Sequence, residues 1–174
     1  QSVVELFKKY AELYQFDYLM TKAIAYQESE LNHDKLSPCG AVGIMQLLPQ
    51  TAADKNVGIP NIYDLEDNVH AGHKYLRFIQ DRYFSVPEID YLNRYLFTFA
   101  AYNAGPAKIL KLRAEAKKRE LDPNVWFKNV EVIAAEKIGR ETVQYVSNIY
   151  KYYTAYRLII DKLQLKKEAK QKMG

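Results

Sequence analysis

Glu28 stands in the setting best suited to proton transfer in this 174-residue chain. It sits near the end of an apolar run with helical spacing, Met20-Thr21-Lys22-Ala23-Ile24-Ala25-Tyr26-Gln27-Glu28-Ser29. A carboxyl group placed there is partly withdrawn from water. Desolvation disfavours the anion and lifts the pKa toward the range of a useful general acid. Glu30 cannot share that pocket if the helix continues, since two residues at about 100° each put it on the opposite face. A glutamate on a helix is more often a surface charge, so Glu28 needs suitable surroundings before it earns a role.

Other reactive side chains make weaker cases. Cys39 is the only cysteine, which excludes an internal disulfide, and no histidine or cation lies close in sequence to activate its thiol. His70 and His73 are three apart on a helical stretch and could share a face with Asp67. Zinc sites need a third ligand and an ordered outer shell, and no HExxH pattern is present, so no metal is expected.

The elements that must position Glu28 read as helices. Ser2 followed by Glu5 forms a capping box, opening a helix with Val3, Leu6, Phe7 and Tyr10 inward. Asp17 caps a second helix reaching about Glu30, with Met20, Ile24 and Gln27 along one face. Asn32 to Gly43 has turn chemistry, centred on Ser37-Pro38-Cys39-Gly40. A short helix is expected over about 46–55, and an amphipathic one over 67–83 using Val69, Leu76, Ile79 and Tyr83. Residues 91–101 are nearly all apolar and should lie at the centre of the core. Asn103-Ala104-Gly105-Pro106 stops that helix, and another restarts over 107–120. Asp122-Pro123 reads as an N-cap with proline at the first helical position. The last helix runs over about 140–165. The only candidate strand is a short piece in 56–64. The fold class is therefore mostly α, in one domain covering 1–174.

Composition agrees with a globular domain: 48% of residues are apolar and 26% charged, and no apolar run is long enough to cross a bilayer. Most of the fifteen tyrosines are expected to fill the core. The net charge of +4 invites a nucleic-acid reading, but the basic C-terminal tail, 160–174, supplies most of it through five lysines set against Asp161 and Glu168. The body is near neutral and shows no basic stripe, so no nucleic-acid partner is expected and the tail reads as a solvated, fraying helix end. The chain begins at Gln1, which fits a processed product or a piece of something longer.

Four motifs change the weight given to Glu28. They are Glu28-Ser29, then Ser37-Pro38-Cys39-Gly40-Ala41-Val42-Gly43-Ile44-Met45-Gln46-Leu47-Leu48-Pro49, then Ala100-Ala101-Tyr102-Asn103-Ala104-Gly105-Pro106, then Glu141-Thr142-Val143-Gln144-Tyr145-Val146. In this order and spacing they resemble the lytic transglycosylase domain of the goose-type-lysozyme-like superfamily. The likeness extends to the membrane-bound lytic transglycosylase F type through Tyr75-Leu76-Arg77-Phe78, Asp122-Pro123-Asn124-Val125-Trp126-Phe127 and Tyr145-Val146-Ser147-Asn148-Ile149-Tyr150. It implies a single lysozyme-like helical domain with a substrate groove. It also implies a solute-binding-like module upstream, outside this chain.

The resemblance implies a peptidoglycan lyase that works as a monomer without metal or organic cofactor. Glu28 would be its single acid/base, and glycan strands in the bacterial periplasm its substrate. Any outer-membrane association would come through parts absent from this chain. It assigns substrate contacts to Ser37, Met45, Gln46, Tyr102, Asn103 and Tyr145, with the Tyr145 hydroxyl reaching Glu28. Each has a plainer role: Ser37 can simply start the turn before Pro38, Met45 can be core, Tyr102 and Asn103 can pack a helix end, and Tyr145 alone reads as core. Gly40 and Gly43 fit a close backbone approach or an ordinary turn equally well. Leu48 stands where many relatives place methionine. Two alternatives stay open. A hydrolytic goose-type lysozyme would need a second carboxylate to activate water, for which Asp34 is the sequence candidate. A non-catalytic glycan-binding domain would not need Glu28 and Tyr145 together.

Overall fold

The helices begin where the sequence places capping side chains. In the computed structural model, which describes residues 1–174, α1 spans Val3–Leu13 and α2 spans Tyr18–Ser29. Ser2 and Glu5 cap α1 reciprocally, and the Asp17 carboxylate accepts from the Leu19 N–H at the start of α2. The later helices are α3 (Pro49–Ala53), α4 (Leu65–Ile79), α5 (Tyr91–Ala104), α6 (Pro106–Lys118), α7 (Glu131–Lys137) and α8 (Arg140–Met173). Asp64, not Asp67, caps α4, and a π-helical turn at Gln80–Phe84 prolongs it. The domain is all helical, without a named strand; isolated bridges join Val42 to Leu36 and to Leu47.

α5 runs through the centre, with every residue from Tyr95 to Ala101 buried. It packs against α4, α6 and α8, while α2 lies along α8 and α1 covers α2 and α4. Phe97 stacks on Phe84 at 5.5 Å between ring centroids and meets the Trp126 edge at 6.1 Å. Offset and edge-on contacts of this kind suit the ring quadrupoles.

Several expectations need correction. Residues 56–64 form turns, because the Asp54 carboxylate accepts from both the backbone and the side chain of Asn56, and no partner strand lies alongside. Val57 and Ile62 instead seal a small second core with Val42, Leu47, Ala52 and Ala71. No helix starts at Asp122-Pro123. Arg113 takes the Pro123 carbonyl and the Asn124 side chain, while Asp122 holds the Asn124 N–H in a local turn. α7 has no counterpart in the sequence reading. α8 continues to Met173, and its residues from Arg157 onward are exposed, so the tail is solvated but helical. Only Tyr10, Tyr95 and Tyr145 of the fifteen tyrosines are fully buried; most of the others lie half-buried around the core.

The segment between α2 and α3 has little regular structure of its own, and one side chain on α4 ties it down. Asn68 is fully buried and accepts from the Met45 N–H at 3.0 Å. Its amide nitrogen donates to the carbonyls of Val42 (2.9 Å) and Ile62 (2.8 Å). Asn68→Leu would keep the volume and orphan three buried backbone groups. The expected cost is about 2–4 kcal/mol, seen as a lower urea midpoint with little change in the slope of the transition.

Candidate active site

α2 ends one residue after Glu28, and three features fix that end. Glu30 turns left-handed (φ 54°), its N–H returning to the Tyr26 carbonyl. The Ser29 hydroxyl bonds the Ile44 carbonyl at 2.7 Å, tying the helix to the following loop. The Lys35 ammonium donates to the Glu28 carbonyl. Glu30 is exposed, so Glu28 alone of the two turns inward.

The loop over 32–48 is built from bonds that only its own residue types allow. Gly43 has φ 78°, and a Cβ there would meet the Asn68 amide at 2.5 Å and the His33 ring at 2.6 Å, so only glycine fits. His33 Nδ1 accepts from the Ile44 N–H, which fixes the neutral ring with its proton on Nε2, facing the Tyr63 carbonyl. Gln46 is left-handed at φ 51°, and its Nε2 donates to the carbonyls of Gly43 (2.8 Å) and Lys35 (3.0 Å). Val42 and Leu47 exchange backbone bonds in both directions.

Between this loop and the ends of α5 and α8 lies a groove of about 500 Å³. Glu28, Lys35, Ser37, Gln46, Tyr102 and Asn103 all line it. The Tyr145 hydroxyl, reaching across from α8, donates to Glu28 Oε2 at 2.8 Å. Burial pushes the Glu28 carboxyl up to about 7; the Tyr145 bond and then the Lys35 charge pull it down, and the Glu141 charge adds a smaller upward push. Burial likewise raises the Tyr145 and Tyr102 phenols well above their usual range, with the nearby Glu28 charge next in weight. Both therefore remain protonated donors throughout the working range of a carboxyl that titrates near neutrality.

With this geometry, comparison with known proteins is decisive. Residues 5–125 match the Transglycosylase SLT domain family. This chain belongs to that family. Relatives include the proteins named membrane-bound lytic murein transglycosylase F from Desulfosudis oleivorans, 32% identical over 85% of this chain and 35% of that protein, and from Marinobacter nauticus, 34% identical over 85% and 31%. The fold matches the crystal structure of the 70 kDa soluble lytic transglycosylase from Escherichia coli with a TM-score of 0.69 and 29% identity, covering 91% of this chain and 24% of that one. The chain thus spans about a third of those curated relatives and a quarter of that solved protein.

Within this SLT domain the residues singled out from sequence do not all face the groove. Met45 is the correction: its side chain is fully buried, pressed against Gly72 of α4, where an added Cβ would meet its sulfur at 2.2 Å. It serves the groove through its backbone carbonyl, which accepts from the Tyr102 hydroxyl at 2.6 Å. Tyr102 therefore offers the groove its ring. Ser37 Oγ accepts from the Ala41 N–H at 2.9 Å, and Asn103 Oδ1 accepts from the Thr142 hydroxyl at 2.7 Å. Tyr75, Lys35 and Glu141 also line the groove, and no pattern of residue types marked them beforehand. Asp34 is exposed outside the groove lining, and Cys39 sits at its rim. His73 is buried with Nδ1 on the Val69 carbonyl and Nε2 on Thr21, while His70 bonds Tyr14, so the pair is occupied with packing.

Two outcomes follow from the carboxyl's environment. Tyr145→Phe removes the main interaction favouring the anion, so Glu28 should hold its proton to higher pH, visible as an upward-displaced carboxyl titration in carbon-13 NMR. Glu28→Gln should stabilise the fold at alkaline pH. A carboxyl raised above its unfolded value contributes fully below pH 4.5 and loses that contribution as pH rises through about 7. The variant should gain about 2–3 kcal/mol over wild type at pH 8 and nothing at pH 4, measured by denaturant unfolding.

Proposed function

We propose that this chain is the catalytic domain of a peptidoglycan lytic transglycosylase, with Glu28 as its single acid/base. The observation that carries the reading is one inward carboxyl, raised to about 7 and held by Tyr145 at 2.8 Å in a groove. A group with that proton affinity is populated in both forms at neutral pH, as a residue needs to be if it acts first as acid and then as base. Family membership and relatives named for murein transglycosylation support the same substrate class.

The proposed reaction balances without water. Protonated Glu28 gives its proton to the glycosidic oxygen between N-acetylmuramic acid and N-acetylglucosamine as the bond from the muramic C1 breaks. The substrate's own N-acetyl oxygen shares the positive charge at C1. Glu28, now anionic, removes the proton from the muramic 6-hydroxyl, and O6 bonds to C1 to close a 1,6-anhydro ring. Glu28 ends protonated, ready for another turn. Tyr145 steadies the carboxylate between the two halves, and the Tyr102 ring and the Gln46 and Asn103 amides form the walls against which the sugars lie.

The longer relatives supply the wider picture. Their length and their names support a further module upstream, membrane association through segments beyond these 174 residues, and a periplasmic site of action. None of the helices here is long and apolar enough to cross a membrane.

A hydrolytic reading has one observation in its favour: Glu141 places a second carboxylate on the groove wall, where a water-activating base would have to stand. Digesting purified sacculi and weighing the products decides between the two. Anhydro-muramic ends, one water lighter than hydrolysis products, are expected; reducing ends alone would sink the lyase reading. Glu28→Gln should slow release by about a thousandfold, in line with loss of a positioned proton donor. Unchanged turnover would instead favour a binding module.

A further inference from the structure

α2 lacks the basic residue that commonly completes a helix C-terminus, its last turn carrying no lysine, arginine or histidine. The carbonyl end of a helix dipole is negative, and a carboxylate created there is opposed by it. The cation comes from outside the helix. Lys35, seven residues on, folds back and donates to the carbonyl of Glu28 itself. Its own carbonyl meanwhile accepts from the Gly43 N–H and from the Gln46 side chain, so one residue joins the end of α2 to the groove loop. Lys35 is also the only cation among the residues that line the groove.

We propose that Lys35 is a positioning residue for Glu28: its ammonium holds the glutamate's backbone in place and stabilises the carboxylate left when the proton has gone to the glycosidic oxygen. The proposal rests on the acid/base reading of Glu28. It assigns distinct tasks to the groups that face that carboxyl from each packed element. Tyr145 of α8 donates to Oε2, and the Tyr102 phenol of α5 stays neutral. Glu141 of α8 opposes the anion from the groove wall, and Lys35 of the loop favours it. Tyr145 acts at contact distance within the protein, so salt cannot weaken it. Lys35 is solvent-exposed, so its influence is open to screening.

The test compares Lys35→Met, Lys35→Gln and Lys35→Arg with wild type, measuring initial rates of muropeptide release at low substrate across pH 5 to 9. The alkaline limb reports loss of the proton from Glu28. With the cation gone, Glu28 holds its proton longer, so Met and Gln should move that limb upward by about 0.5 pH unit, and Arg should restore it. Raising the salt concentration should carry the wild-type limb toward the Met position and leave the Met variant where it is. Glu141→Gln should move the limb the other way. A role confined to holding the loop would lower the rate at every pH and leave the limb in place. Folded Met and Gln variants, judged by circular dichroism and thermal melting, with an unmoved limb would overturn the proposal. Should the Met variant fail to fold, the Gln variant and the wild-type salt response decide in the same way. Glu28→Gln, assayed alongside, keeps the two ideas apart: retained activity there refutes the acid/base reading, whereas an inactive Glu28→Gln beside an unmoved limb refutes only the role of Lys35.

Discussion

The bond from the Tyr145 hydroxyl to Glu28 Oε2 joins residues 117 apart in the chain, and much of the domain exists to keep its ends 2.8 Å apart. Burial works against a charged carboxylate, and a single phenol donor restores part of what solvent would have given. That donor comes from α8, which packs along α2 and against α5 at once. Tyr145 is 4% exposed, with Val146 and Ile149 of the same helix fully buried in the main core. The proton affinity of Glu28 is thus coupled to helix packing. A shift of α2 against α8 would lengthen the bond and raise the carboxyl further, with no change in the groove residues themselves.

The opposite wall obeys a different constraint. Residues 32–48 have no sheet or helix to satisfy their backbone, so side chains do it: Asn68 for three groups, His33 for two, Ser29 for one and Tyr102 for another. An unpaired buried polar group costs a few kcal/mol, so the loop is as fixed as a regular element while remaining open to solvent on its groove side. Gln46 pays for its left-handed backbone with the same currency, its amide closing on Gly43 and Lys35. Fixing the wall in this way leaves the Gln46 carbonyl oxygen and the Tyr102 ring as the parts presented outward.

Helix positions were legible wherever a local rule applied. Ser2 and Glu5, Asp17, and the Gly105-Pro106 break each act through neighbours within four residues, and each helix boundary they mark is present. Glu28 and its partners were legible through the family likeness, not through periodicity: taken alone, Tyr145 reads as core, and its side chain is indeed buried. The failures share a cause. Asp122-Pro123 carries good capping chemistry, but Arg113, ten residues back, claims the carbonyl a helix would have used. Met45 sits between two groove residues, yet Gly72, remote in sequence, opens a slot in α4 that draws its side chain into the core. Asn68 and Lys35 do their work over separations that no short motif records.

A carboxyl that must be an acid and then a base within one turnover is best served by equal ease in both directions. Deeper burial would favour the protonated form and weaken the base; a stronger cation would favour the anion and weaken the acid. Here the largest influence, desolvation, is offset first by Tyr145 and then by Lys35, with Glu141 pulling slightly back, and the balance settles at about 7. Two of these influences are set by packing and two by exposed charges on the groove. Those groove charges are accessible to whatever binds there, so a strand lying across Lys35 and Glu141 excludes water from both. Their attraction and repulsion then strengthen together as the local dielectric falls. Because the two act with opposite sign on the same carboxyl, much of that strengthening cancels. A glutamate poised near neutrality in the open groove can therefore stay poised when the groove is filled.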